Sequence, residues 1–240
     1  MGYILLEGGA EFGGEMEAPD RRAIELAGGA NVPVGIIPAA AAPANDHLNA
    51  GENGVNWFRS LGATDVTALP LTDRKSADNP NVVEALRRGK LIYMLGGSPQ
   101  HLEQTLAGSA SWRAMLLAHE AGAVIGGSSA GAMVLCTHYY DPFQREVLKG
   151  LGLISGCCVL PHHNSFGQNW ASWLADLLPD TILIGIDERT GMLDDGPDGR
   201  WQVYGQGEVT LYRRGKIERV APGQPFGDKS LKPFKSQDRG

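Results

Sequence analysis

Short apolar runs recur along the chain, each cut off by small or turn-forming residues. Tyr3–Leu6 leads into Gly8-Gly9, Val32–Pro38 into a run of alanines, Lys90–Leu95 into Gly96-Gly97, and Ala123–Ile125 into Gly126-Gly127. Runs this short, bounded by small residues, predict strands buried on both faces. Between them, Arg21–Leu26, Asn81–Arg88 and Trp112–Ala121 space their apolar residues at helical intervals with charges between. Gly156–Leu160 and Thr181–Ile186 predict two further strands, and Gly191–Leu193, Trp201–Tyr204 and Glu208–Tyr212 a closing antiparallel region. Strands alternating with helices predict an α/β fold: a mostly parallel sheet with helices on both faces, followed by C-terminal antiparallel strands. In such sheets ligands gather at the carboxyl ends of the strands. Glycine pairs at Gly8, Gly96 and Gly126 fall at three of those ends.

Composition narrows the picture. The 240 residues suit one domain over 1–220. Beyond Val220 the chain turns polar and rich in Pro, Gly and Lys, so 221–240 reads as a tail, either loosely packed or an arm docking on another subunit of a homo-oligomer. A net charge of −6 argues against a nucleic-acid partner, which would need a basic surface. No run of apolar residues is long enough for a transmembrane helix, so no membrane partner is expected. The start of the chain turns polar too soon for a signal peptide, and the expected compartment is the cytoplasm. Cys136, Cys157 and Cys158 lack metal-ligand spacing and read as buried thiols; no metal or other cofactor is expected.

The segment with the clearest chemistry is Gly127-Ser128-Ser129-Ala130-Gly131. It fits G-x-S-x-G, with a strand before it and a helix-like Ala130–Leu135 after it. A strand-to-helix turn that presents a nucleophile demands small neighbours, and the helix amino end favours negative charge developing beside it. Ser129 is therefore the candidate nucleophile, and Ser128 supports the turn. A general base is expected from the pair His162-His163, which follows the Gly156–Leu160 strand. The acid that orients it is expected at the end of the Thr181–Ile186 strand, as Glu188 or its rival Asp187. Oxyanion donors are expected from the N–H groups of Ala130 and Gly97. The order Ser, His, acid differs from the Ser, acid, His order of α/β-hydrolases.

These blocks resemble the S51 serine peptidases, the group of aspartyl dipeptidase (peptidase E) and cyanophycinase. The resemblance extends from the first strand to about Tyr212. It is carried by Gly96-Gly97 after a strand, the Gly127–Gly131 elbow and the Gly185–Glu188 turn, with a looser match around His163. It implies a fold like the class I glutamine amidotransferases (flavodoxin-like) and a Ser-His-Glu triad, which assigns the roles to Ser129, His163 and Glu188. Gly97 and Ala130 then supply the oxyanion hole. Ser98, Gln100 and Asn164, beside these loops, are candidate substrate contacts. The substrates it implies are short peptides cleaved by an exopeptidase, in carboxypeptidase or dipeptidase mode. No Arg or Lys lies between His163 and Arg189 to pair an aspartate side chain, so strict Asp specificity is not expected. Alternatives are cyanophycinase-like or aspartyl dipeptidase activity, or a catalytically silent amidotransferase-like binding module.

Overall fold

A computed structural model describes residues 1–227 and 231. In chain order the main elements are β1 (Ile4–Glu7), α1 (Glu17–Ala27), β2 (Pro33–Ile37), α2 (His47–Ser60), β3 (Asp65–Ala68), α3 (Pro80–Arg88), β4 (Leu91–Met94), α4 (Pro99–Leu106), α5 (Ala110–Glu120), β5 (Val124–Ser128) and α6 (Ala130–Leu135). There follow β6 (His138–Asp141), β7 (Glu146–Lys149), β8 (Cys157–Leu160), α7 (Ala171–Leu177), β9 (Ile182–Ile186), β10 (Thr190–Leu193), β11 (Trp201–Gly205), β12 (Val209–Arg213), β13 (Lys216–Val220) and β14 (Pro225–Phe226).

The main sheet has the order β14-β11-β10-β1-β5-β4-β2-β3. Its half from β1 to β3 is parallel, and β10, β11 and β14 extend it antiparallel. Strand β5 lies at the centre and is buried along its whole length. Two apolar clusters cover the sheet faces. One contains Ile37, Met94, Leu102, Met115 and Ile125; the other contains Leu5, Ile36, Phe58, Leu91 and Tyr93. Helices α3, α4 and α5 start where a side chain accepts a backbone N–H: Asn79 from Asn81, Ser98 from His101 and Ser109 from Trp112. Proline at the first position of α3 and α4 sets the helical φ there.

The predicted closing region is divided between two sheets. Strands β10 and β11 join the main sheet, whereas β9, from the Thr181–Ile186 run, pairs parallel with β8 and antiparallel with β12 in a separate four-stranded sheet, β13-β12-β9-β8. Gly8 and Gly9 stitch the two sheets together. Gly8 N donates to Thr190 O at 3.0 Å, while Gly8 O and Gly9 O accept from His162 N and Arg189 N at 2.6 and 3.0 Å. The ends of β1, β5, β8 and β9 therefore meet along one rim.

Strand pairing extends beyond the expected domain end at 220. Pro225–Phe226 pairs with β11, and Trp201 Nε1 donates to Leu231 O at 3.1 Å. Phe226 and Leu231 are buried with Trp201, so this part of the expected tail packs on its own chain. The rest of the predicted tail, 228–230 and 232–240, lies outside the described residues. Among the described residues no helix is long and apolar enough to cross a membrane.

Candidate active site

The elbow forms where β5 ends. Ser129 has φ 48° and ψ −110°, a conformation rarely tolerated outside glycine. Crowding explains the glycines around it. A Cβ on Gly127 would sit 2.4 Å from the Gly131 carbonyl carbon, and one on Gly131 would sit 2.3 Å from Met94 O. Ser129 N donates to Glu7 O at 3.0 Å, which ties the elbow's backbone to β1. Ala130 opens α6, as the sequence predicted.

His162 faces this serine. Its Nε2 lies 3.1 Å from Ser129 Oγ, and its Nδ1 lies 2.8 Å from Glu188 Oε1. A turn builds this pose. His162 has φ 49°, and its carbonyl accepts the N–H groups of Ser165, Phe166 and Gly167 at 3.0 Å each. Glu188 is held in turn. Its N–H donates to Asn164 Oδ1 at 2.9 Å, and Ser165 Oγ donates to Oε1 at 3.3 Å. The hydrogen bond from His162 holds the Glu188 carboxyl below the ordinary glutamate range. An ionised Glu188 favours the tautomer with the proton on Nδ1, which leaves the Nε2 lone pair to accept from the serine hydroxyl.

His163, which the family resemblance assigned as base, is turned the other way. Its Nδ1 pairs with Asp187 Oδ1 at 3.3 Å and its Nε2 with Tyr212 OH at 2.8 Å. The ring packs over Gly185, where a Cβ would fall 2.3 Å from Cδ2, and is only 8% exposed. Burial pushes its pKa below the usual histidine value. The correction has a backbone cause: successive side chains at a strand end point to opposite sides, and the left-handed φ of His162 aims that residue at the elbow. Two histidine–acid pairs thus stand back to back, His162–Glu188 toward Ser129 and His163–Asp187 toward the second sheet. No periodicity in Leu160-Pro161-His162-His163 distinguishes them in advance.

Gly96 reaches the elbow. A Cβ on Gly96 would lie 3.4 Å from Ser129 Cβ and 3.0 Å from Glu11 Oε1. Gly97 has φ 136°, and a Cβ there would lie 2.3 Å from Ala40 O, so only glycine fits. Of the expected substrate contacts, Ser98 lines the adjoining cleft, but its hydroxyl caps α4. Gln100 also lines the cleft and accepts from Gln144 Nε2 at 2.6 Å. Asn164 accepts the Glu188 N–H at its side-chain oxygen.

The cleft encloses about 660 Å³ and is mostly apolar. Its charged lining consists of Glu11, Asp46 and Asp141, with no Lys or Arg among the described residues that line it. Glu11 was missed by the sequence reading. Its carboxylate accepts from Ser128 Oγ at 3.0 Å and, more weakly, from Gly96 N at 3.4 Å. Its one signal in the sequence is its position just after the glycine pair that ends β1. Behind the elbow lies a second acidic group. Glu7 and Asp20 are fully buried and pair through their carboxyls, with Tyr93 OH donating to Glu7 and Trp57 Nε1 to Asp20. Burial pushes both carboxyls up, so the pair retains a proton.

Comparison with known proteins relates the chain to peptidases. The cyanophycinase of Geminocystis herdmanii is 28% identical over 221 residues, 87% of this chain and 79% of that protein. The cyanophycinase of Synechococcus elongatus is 26% identical over 223 residues, 88% of this chain and 67% of its own length. The crystal structure of a peptidase from an acI-B1 Actinobacterium superposes with a TM-score of 0.84 at 30% identity, covering 95% of this chain and 97% of that one. A putative peptidase E protein from Listeria monocytogenes EGD-e shares the fold, with a TM-score of 0.58 at 18% identity over 92% of this chain and 98% of that one. Residues 4–197 match peptidase family S51, and the chain belongs to that family of peptidases.

Proposed function

We propose that this peptidase is a serine exopeptidase that releases residues from the amino end of short peptides, with Ser129 as nucleophile, His162 as general base and Glu188 as the acid that orients the base. The series Ser129 Oγ, His162 imidazole, Glu188 carboxylate, at 3.1 and 2.8 Å, carries this reading. Ser129 attacks the scissile carbonyl as His162 Nε2 takes its proton, and Glu188 stabilises the imidazolium. Backbone N–H groups of Ala130 and Gly97 are the candidate donors to the oxyanion. The imidazolium then protonates the leaving amine, and water, activated by the same imidazole, releases the acyl group.

The cleft chemistry supports the amino-end mode. A carboxylate this close to the nucleophile opposes a negatively charged oxyanion unless the substrate brings a compensating cation. A free α-ammonium is such a cation. A substrate carboxylate would meet Glu11, Asp46 and Asp141 with no basic partner in the lining. Cyanophycinase activity is the second reading, favoured by the names of the relatives at 26–28% identity.

One substrate panel tests both: free dipeptides, their N-acetylated and C-amidated forms, and cyanophycin, each with the wild type and Ser129→Ala. Cleavage of free and C-amidated but not N-acetylated peptides is expected, and none by the variant. Preference for N-acetylated peptides would overturn the amino-end mode, and turnover by Ser129→Ala would overturn the mechanism.

A further inference from the structure

Phe166 is a large apolar side chain left 46% exposed, yet it is not idle surface. Its ring stacks on the His162 imidazole, with centroids 4.9 Å apart and planes 21° from parallel. The same turn that shapes His162 sets it there, because the Phe166 N–H donates to His162 O at 3.0 Å. Trp170 contacts the Phe166 ring as well, with centroids 5.5 Å apart and planes tilted by 58°. Gly9 crowds the imidazole at Cε1, where a Cβ would stand 2.2 Å away.

We infer that Phe166 is a positioning residue for the base: it holds the imidazole plane in line with Ser129 and Glu188, and its π-face stabilises the imidazolium that forms as the serine is deprotonated. This rests on the reading of His162 as the base. The physical ground is twofold. An imidazole hydrogen-bonded only at its two nitrogens is free to rock about the line between them, and a parallel ring against its face removes that freedom. The aromatic face carries partial negative charge, so it attracts the cation more strongly than the neutral ring, and that difference lowers the barrier.

The test needs no knowledge of the natural substrate. The second-order rate of fluorophosphonate labelling is measured for wild type, His162→Ala, Phe166→Leu and Phe166→Tyr, with kcat and KM on the best dipeptide and melting temperature as a check on folding. Phe166→Leu keeps apolar bulk but loses the face. It is expected to slow labelling and lower kcat by about three- to tenfold, with KM unchanged. Phe166→Tyr should restore the rate. Wild-type labelling by Phe166→Leu, a change confined to KM, or a tyrosine variant as slow as leucine would overturn the inference while leaving the base in place. Wild-type labelling by His162→Ala would instead overturn the base assignment, and this inference with it.

Discussion

Two adjacent histidines with different partners offer a sharp test. Replacing His162 by alanine removes the ring nitrogen 3.1 Å from Ser129 Oγ, the proposed proton acceptor, and strands Glu188. General-base catalysis by a positioned histidine is worth about 10²–10⁴-fold, so kcat should fall by at least about 10²-fold, or roughly 3 kcal/mol of barrier. The fold should survive, because the His162 side chain makes contacts at the rim rather than in the core. Replacing His163 does the opposite. It deletes a hydrogen bond of 2.8 Å to Tyr212 and a longer one of 3.3 Å to Asp187, and it opens space over Gly185 in a site only 8% exposed. At about 1 kcal/mol for each bond plus a cavity term, the loss of stability is about 2–4 kcal/mol. Activity at a temperature where His163→Ala remains folded should stay within a few-fold of wild type. Urea unfolding reads the stability, and dipeptide turnover together with fluorophosphonate labelling reads the chemistry. An active His162→Ala beside a folded but inactive His163→Ala would refute the assignment.

Other perturbations probe the scaffold. Asp20, pushed up to about 7 by burial beside Glu7, keeps a proton in the folded protein that the unfolded chain releases near pH 4. Its stabilising effect is therefore fully present below about pH 4 and is lost as pH rises toward about 7, by at most about 4 kcal/mol. Burial raises Glu7 and Asp194 in the same direction. Melting temperature should fall between pH 5 and 8, and less steeply in Asp20→Asn; an identical slope in the variant would refute the shared-proton account. Truncation after Val220 uncovers Trp201 and removes buried Phe226 and Leu231, so it should cost about 3–6 kcal/mol in denaturant unfolding. Unchanged stability would show that this packing contributes nothing.

Much of this architecture was legible in the chain itself. Apolar runs closed by glycine or alanine announced β1, β2, β4 and β5, because a strand buried on both faces leaves no room for polar alternation. The elbow was legible for a related reason: its geometry tolerates so few side chains that Gly127, Ala130 and Gly131 betray it. Other elements gave weaker signals. Strand β3, Asp-Val-Thr-Ala at the sheet edge, is short and half polar. Helix α2 carries Gly51 and Gly54, which lower helix propensity but let it approach Pro38, Ala68 and Ile36 closely. What only the tertiary structure decided is which groups converge. Sequence spacing is blind to the sign of φ at His162, and that one backbone angle sends its imidazole to Ser129 while His163 turns to Tyr212. It is equally blind to the meeting of loops far apart in the chain, which brings Glu11 to Ser128 and Gly96. Local pattern sets the strands and their turns; long-range packing of two sheets selects which histidine faces Ser129 and gives the cleft its charge.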